Sequence, residues 1–297
     1  MSMTYLLWAA LLALAALAGL GAAWWGRSRF VRGRRALLAV AVFLAVGAAG
    51  GYLAHGPVAE MLAKSRLAAA TARADDVFRT DGLLRALQQA EPERAGALHA
   101  RLALALAAAT DGEVLAVEQS LRADALREAL AASFSRLPNA SDEAAARLAQ
   151  ALLNALKALQ DRDSLLCLGL LHPASAANAA LTQDALARLE GSVRRDLESA
   201  LALTLASSVI RPRSAPLPSK ADAALADMFI ENLPEFQQAY GNSKQVGALF
   251  EALAEPEQAR SIAPETLCAF AQDLLRALLR MPPAERGPGL RRLLGAG

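Results

Sequence analysis

Histidine is the side chain in this sequence best suited to acid–base chemistry or metal binding near neutral pH. It occurs three times, at His55, His99 and His172. None of the three belongs to an HxxxH or HExxH spacing, which would put two zinc ligands on one face of a helix. His55 follows a long apolar run, His99 lies in a leucine-rich helical pattern, and His172 precedes a proline at a predicted helix end. We therefore expect structural or solvated histidines and no metal site.

Cysteine is the second residue type that could react, and the chain has two, Cys167 and Cys268, which lie 101 residues apart in apolar surroundings. Buried free cysteine is common in such surroundings, so we expect two free thiols. The alternative is a disulfide that ties the last part of the chain to the part before it. That bridge would require an oxidising compartment and Cα atoms within about 7 Å.

Two close pairs of carboxylates, Asp75 with Asp76 and Asp161 with Asp163, are adjacent only in sequence and resemble ordinary helix caps and turns. Asn139 begins a glycosylation acceptor sequence where a helix cap is expected. Phosphate-binding glycine loops, GxSxG turns and other nucleophile signatures are absent from the sequence. We therefore predict no catalytic, cofactor-binding or metal-binding residues, and a protein without enzymatic activity is favoured over an enzyme.

The elements that would position these residues are helices, because apolar residues recur every three or four positions after residue 55. Ser141 is a candidate N-cap of one helix, and Thr182 is a candidate cap of a long helix that carries apolar residues from Leu186 to Leu205. No useful stretch alternates with the period of two that marks strands. The predicted fold class is all-α. The clearest apolar stripes are Leu98, Leu102 and Leu106; Leu126, Leu130, Phe134 and Leu137; Leu148, Leu152, Leu156 and Leu159; and Leu186, Leu189, Val193, Leu197, Leu201 and Leu205.

A proline-rich segment, residues 211–219, interrupts the helical patterns, since three prolines in nine residues do not allow a helix to continue. It predicts a helical module at 56–210, a linker at 211–219 and a C-terminal helical module at 220–297. Similar sequences around Glu91 and Glu255 combine an apolar helix with Glu-Pro-Glu, as stacked helical hairpins would. We expect either a helical bundle or an irregular array of helical hairpins.

Residues 1–55 predict a transmembrane hairpin. The uncharged runs 3–25 and 36–54 would form helices of about 34 and 28 Å, which match a hydrocarbon core of roughly 30 Å. The loop at 26–35 between them must lie outside the hydrocarbon, because each arginine would cost about 2.5–3.5 kcal/mol at the centre of a span. A cleaved signal peptide is the alternative for the first run, but no basic residue precedes it. The loop arginines are Arg27, Arg29, Arg32, Arg34 and Arg35.

The arginine loop also predicts the orientation, since basic loops stay on the cytoplasmic side. Both termini and residues 56–297 would then lie on the extracytoplasmic side of the plasma membrane, which is the periplasm in a Gram-negative bacterium. Gly47 and Gly51 form a GxxxG pair that could let the second span pack closely against another helix. Chance is the alternative explanation for this pair, because alanine and glycine fill both spans.

Charge excludes one class of partner. Five of the 31 basic residues lie before residue 55, where no acidic residue occurs, which leaves 26 basic against 29 acidic residues in the rest. A slightly acidic region is a poor nucleic-acid binder. We expect a membrane-anchored interaction or scaffold protein of a cell-envelope assembly, with the bilayer and other envelope proteins as partners and no cofactor. The alternatives are a tethered, hydrolase-like enzyme with an active site assembled from distant residues, and a ligand-sensing domain acting through a partner.

Overall fold

The computed structural model of the protein describes residues 59–110, 112–210 and 218–295, and these ranges are almost entirely helical and contain no strand. The all-α prediction is therefore confirmed for this part of the chain. The thirteen helices in it are α1 (59–80), α2 (Gly82–Ala90), α3 (Pro92–Ala108), α4 (Val114–Arg136), α5 (Asp142–Gln160), α6 (Cys167–Leu171), α7 (Ala179–Arg188), α8 (Gly191–Ile210), α9 (Pro218–Tyr240), α10 (Ser243–Ala254), α11 (Pro256–Ala259), α12 (Pro264–Arg280) and α13 (Pro283–Leu294). Three short 3₁₀ turns, Leu137–Asn139, Ser164–Leu166 and Ala176–Asn178, join some of them.

The chain divides into two compact units, residues 1–69 and residues 70–297. Of the first unit the structure describes residues 59–69, which are helical and exposed. The predicted spans, the arginine loop, the GxxxG pair and His55 lie outside the described residues. Within the described ranges, no helix combines the length and the apolar character needed to cross a bilayer.

Local sequence signals explain where several helices begin. The carboxylate of Asp81 accepts hydrogen bonds from the amides of Leu83 at 2.9 Å and Leu84 at 3.2 Å, which caps α2. The hydroxyl of Ser141 accepts from an amide in the first turn of α5, which confirms the predicted cap. Asn242 closes a capping box at the start of α10. Helices α3, α11, α12 and α13 each have proline in the first turn, where no intrahelical donor is lost.

Helix α5 lies at the centre of the second unit. More than half of its residues are buried, and it packs against α8, α12 and α13. Its first turn carries two acidic residues and its last turn a lysine, both favourable to the helix dipole. The apolar stripe from Leu148 to Leu159 is buried as predicted. Burial of this stripe joins helices from both sides of the proline-rich segment in one core.

The predicted long helix through Leu186 and Leu205 is wrong, because the chain breaks between α7 and α8. The guanidinium of Arg162 donates to the carbonyl of Arg188 at 3.0 Å and so satisfies a terminal carbonyl of α7. Thr182 does not cap this helix either. It lies inside α7, and its hydroxyl is 2.9 Å from the carbonyl oxygen of Gly169.

The predicted free thiols are also wrong. Cys167, at the start of α6, and Cys268, on α12, form a disulfide with a Cα–Cα distance of 5.7 Å. Both residues are buried, at 1% and 0% exposure. The apolar neighbours of each cysteine in the sequence predicted its burial correctly. They carried no information on the distance between the two cysteines. In the chain-entropy account a crosslink across about 100 residues stabilises the fold by about 4.7 kcal/mol.

The predicted linker lies mostly outside the described residues, and α9 begins at Pro218. Helix α9 packs against α10, α12 and α13, while α12 and α13 pack against α5. The helices that follow the linker therefore share the core of the helices that precede it. The division into separate modules at 56–210 and 220–297 stays a prediction.

Gly169 fixes the close approach of α6 and α7. A Cβ atom at this position would lie 2.5 Å from the backbone carbonyl carbon of Leu181 and 2.5 Å from the amide nitrogen of Thr182. Backbone atoms cannot rotate away as the end of a flexible side chain can, so only glycine fits between these helices. The residues that follow Gly169 in the chain depend on this contact for their position.

We expect Gly169→Ala to lower the free energy of unfolding by about 1–3 kcal/mol, the usual cost of overpacking. Gly96→Ala is the matched control, because its Cβ would meet nothing within 4 Å on the exposed side of α3. It should raise the free energy of unfolding by about 0.5–1 kcal/mol. Chemical denaturation followed by circular dichroism measures both. Equal effects of the two substitutions would contradict the close contact.

Candidate apolar binding site

A cavity of about 340 Å³ opens between helices from both ends of the second unit. Its size is at the low end of the range of about 300–1,000 Å³ found for small-molecule pockets. Helices α4, α5, α6, α10, α11, α12 and α13 form the walls, together with the segment that follows α6. The lining residues are Ala131, Phe134, Ser135, Leu152, Leu156, Leu170, Leu171, His172, Pro173, Ala174, Ser175, Phe250, Leu253, Ala254, Pro256, Ala271, Leu274, Leu275, Leu293 and Leu294.

The lining is apolar, and nine of its residues are leucines. None of the described lining residues is Asp, Glu, Lys or Arg. The inner wall is made of buried side chains such as Leu156, Leu170 and Leu274, whereas Ser135 and Ala254 are exposed at the mouth. Binding in such a cavity is favoured when the occupant transfers apolar groups out of water. A charged occupant would be disfavoured, because the described lining offers no counter-charge.

Helix periodicity explains the inner wall. Leu152 and Leu156 are four residues apart on α5 and therefore lie on one face of the helix. On α12, Ala271 and Leu275 have the same spacing. Phe250, on α10, completes the wall and is held from behind by edge-to-face contact with Phe270, with ring centroids 4.9 Å apart. The cavity is therefore set between packed helices and not on a loop.

The disulfide joins two walls of the cavity. Cys167 begins α6, which contributes Leu170 and Leu171 to the lining, and Cys268 is one turn before Ala271 on α12. The bridge therefore holds α6 against α12 at the inner end of the site. Reduction would remove this tie without removing any lining side chain.

His172 is the one titratable side chain among the described lining residues, and it is buried at 7% exposure. Its Nε2 lies 3.0 Å from the carbonyl oxygen of Ala252. Burial lowers the pKa of His172 below its ordinary value, and the hydrogen bond to Ala252 opposes this only in part. The imidazole is therefore neutral at pH 7.

The other residues that could have done chemistry stay apart from the cavity. His99 Nε2 pairs with the Asp75 carboxylate at 2.8 Å on the surface, and Asp76 pairs with an arginine one turn away. Asp161 ends α5 and Asp163 begins the next 3₁₀ turn, as expected of caps. The described residues contain no group of three or more His, Cys, Asp or Glu side chains close enough to hold a metal ion.

Sequence reasoning assigned His172 a structural or solvated role and missed its place in the cavity. A buried histidine that hydrogen-bonds a backbone carbonyl is consistent with the structural role, but the ring also lines the site. The available signal was the position of His172 at a helix end before Pro173. This position does not show which distant helices surround the ring, because Phe250 and Leu274 are far away in the chain.

The neutral state of His172 predicts a pH dependence of stability. The unfolded state has a histidine pKa near 6.5 and the folded state a lower one, so the unfolded state binds more protons between these two values. The free energy of unfolding should therefore fall as the pH is lowered from 7 to 5, by at most about 1.4 kcal/mol per pH unit for one proton. His172→Gln keeps a donor for Ala252 and should lose this component. Chemical denaturation at several pH values measures it, and identical pH profiles for the two proteins would contradict the lowered pKa.

Comparison of the chain with protein-family models, with curated proteins and with solved structures finds no significant match in any of the three. The cavity is therefore interpreted from its own chemistry.

Proposed function

We propose that this chain is a membrane-anchored binding protein of a cell-envelope assembly, and that the apolar cavity receives an apolar segment of another envelope protein. The observation that carries the proposal is the uncharged, leucine-rich lining of a half-open cavity of about 340 Å³. Apolar pockets that receive a few large side chains are the energetic centres of many protein interfaces. In this proposal the helical region is a scaffold and the cavity is its docking site.

Binding fits the cavity better than catalysis. General acid–base catalysis uses groups that exchange protons near the working pH, commonly in pairs with different pKa values. The described lining offers only His172, whose ring is neutral and already hydrogen-bonded to Ala252. A hydrolase-like reaction would in addition have to stabilise a developing charge, and the leucine side chains cannot do so. The tethered enzyme is therefore the weaker of the two candidates.

The proposal includes an anchor and an orientation. Residues 3–25 and 36–54 would span the plasma membrane, with the arginine loop at 26–35 in the cytoplasm and residues 56–297 on the opposite side. The disulfide between Cys167 and Cys268 supports this orientation independently, since structural disulfides are typical of oxidising compartments and rare in the cytosol. The partner would then be another protein of the extracytoplasmic envelope.

The orientation predicts opposite results for two reporters fused after Gly297. Alkaline phosphatase, which folds only outside the cytoplasm, should be active, whereas a fluorescent protein that matures only in the cytoplasm should stay dark. When cells are lysed in denaturant that contains an alkylating agent, Cys167 and Cys268 should both stay unmodified unless a reductant is added first. A bright fluorescent fusion together with two alkylated cysteines would contradict the extracytoplasmic placement.

The docking site predicts that a bulky side chain in the cavity prevents partner capture. Ala131→Phe points into the space from α4, and we expect it to lower the recovery of the crosslinked partner by roughly tenfold or more, since an interface anchor is worth about 2 kcal/mol or more. Crosslinking in intact cells followed by mass spectrometry identifies and quantifies the partner.

Ala123→Phe is the control for this experiment, because Ala123 is half-buried on the same helix and does not line the cavity. It should leave the recovery unchanged. Ala254→Phe, at the exposed mouth, is a second filling variant that the fold can accommodate easily. Equal recovery with all three variants would contradict the cavity as docking site.

A further inference from the structure

His172 gives the apolar lining of the cavity a hydrogen-bond acceptor. The atom next to Nε2 of His172 is a carbonyl oxygen, which can only accept, so Nε2 carries the hydrogen and donates to Ala252. In a neutral imidazole the other nitrogen, Nδ1, then has a lone pair. Among the described residues no hydrogen-bond partner occupies Nδ1.

The serines at the cavity fit the same pattern. The hydroxyl of Ser135 donates to the carbonyl of Ala132 at 2.9 Å, which leaves its oxygen as an acceptor. Ser175, the third polar side chain of the lining, can rotate to donate or accept. Among the described lining residues, two of the three polar side chains therefore have a lone pair that can accept a hydrogen bond. The complementary occupant is apolar, uncharged and equipped with a hydrogen-bond donor.

Few protein side chains meet all three conditions. Leucine, isoleucine and phenylalanine are apolar but would cover Nδ1 of His172 without donating a hydrogen bond to it, which weakens binding. Lysine and arginine donate but carry charge into a lining without a counter-charge. Tryptophan combines a large apolar ring system with one N–H that donates and does not accept.

We propose that the cavity binds a tryptophan side chain of the partner, whose indole N–H donates to Nδ1 of His172. This inference rests on the proposed function, in which the cavity is the docking site, and it names the anchor that the site selects. In this proposal Phe134 and Phe250, which both line the cavity, contact the ring system, and His172 determines specificity. Tryptophan is also among the side chains that most often dominate interface energies.

Two small probes of nearly equal shape test the donor. 3-Methylindole is the tryptophan side chain alone, and 3-methylbenzothiophene has a sulfur in place of the N–H. The full chain is reconstituted in lipid nanodiscs, because detergent would compete for an apolar cavity. The Ala131→Phe variant in the same nanodiscs measures uptake of the probes by the lipid. Ligand-observed nuclear magnetic resonance gives the specific binding as the difference between the two samples.

We expect 3-methylindole to bind about tenfold more tightly than 3-methylbenzothiophene, which is the effect of one hydrogen bond of about 1.4 kcal/mol. His172→Phe should abolish this preference, so that the ratio of the two affinities falls to about one. If His172→Phe does not fold, as circular dichroism would show, the ratio of the two probes on the unmodified chain still decides the matter.

The remaining outcomes of the probe experiment would each contradict a different part of the proposal. Equal affinity of the two probes for the unmodified chain would overturn the tryptophan anchor and leave the apolar docking site standing. Tighter binding of p-cresol than of 3-methylindole would overturn it in favour of a tyrosine anchor. Binding of no probe above the level of Ala131→Phe would overturn both this inference and the cavity as docking site.

Discussion

Burial of helix α5 is the constraint on which the rest of the second unit depends. Its buried alanines allow α8, α12 and α13 to approach, and its buried leucines fill the space between them. A helix with apolar residues around most of its circumference is stable only when other helices surround it. The neighbours come from both sides of the proline-rich segment, so both parts of the chain contribute to one core. The cavity lies where Leu152 and Leu156 meet helices that do not close over them completely.

Two further ties hold the C-terminal helices against helices that precede the proline-rich segment, and they differ in physical nature. The disulfide between Cys167 and Cys268 acts chiefly by restricting the unfolded chain. Arg291, on α13 and 3% exposed, pairs with the carboxylate of Asp142 at 3.2 Å and donates to the carbonyl of Pro138 at 3.1 Å. A buried guanidinium is tolerated only when it is paired and hydrogen-bonded. This geometry is therefore specific to one docking position of α13, the helix that supplies one wall of the cavity.

The chemistry of the cavity follows from the same packing. Helices that approach through leucine and alanine enclose space without bringing charged side chains into it, and this low-polarity surrounding keeps the His172 ring neutral. A neutral ring with one nitrogen bound to Ala252 is suited to recognise a donor and poorly suited to transfer protons. In the proposed function, the preference for binding over catalysis therefore rests on the burial of His172 and on one backbone hydrogen bond.

The sequence alone determined the features that depend on neighbouring residues: the helical class, the buried stripe from Leu148 to Leu159, the cap at Ser141 and the apolar runs that predict membrane spans. Periodicity, capping and hydropathy depend on residues close together in the chain, so the sequence alone shows them. Tertiary structure decided what depends on distance. It joined Cys167 to Cys268. It also ended α7 at a point where Arg162 contacts the last turn, although the apolar periodicity had predicted one continuous helix. It also assembled the cavity from seven helices, because contacts between residues far apart in the chain leave no local pattern.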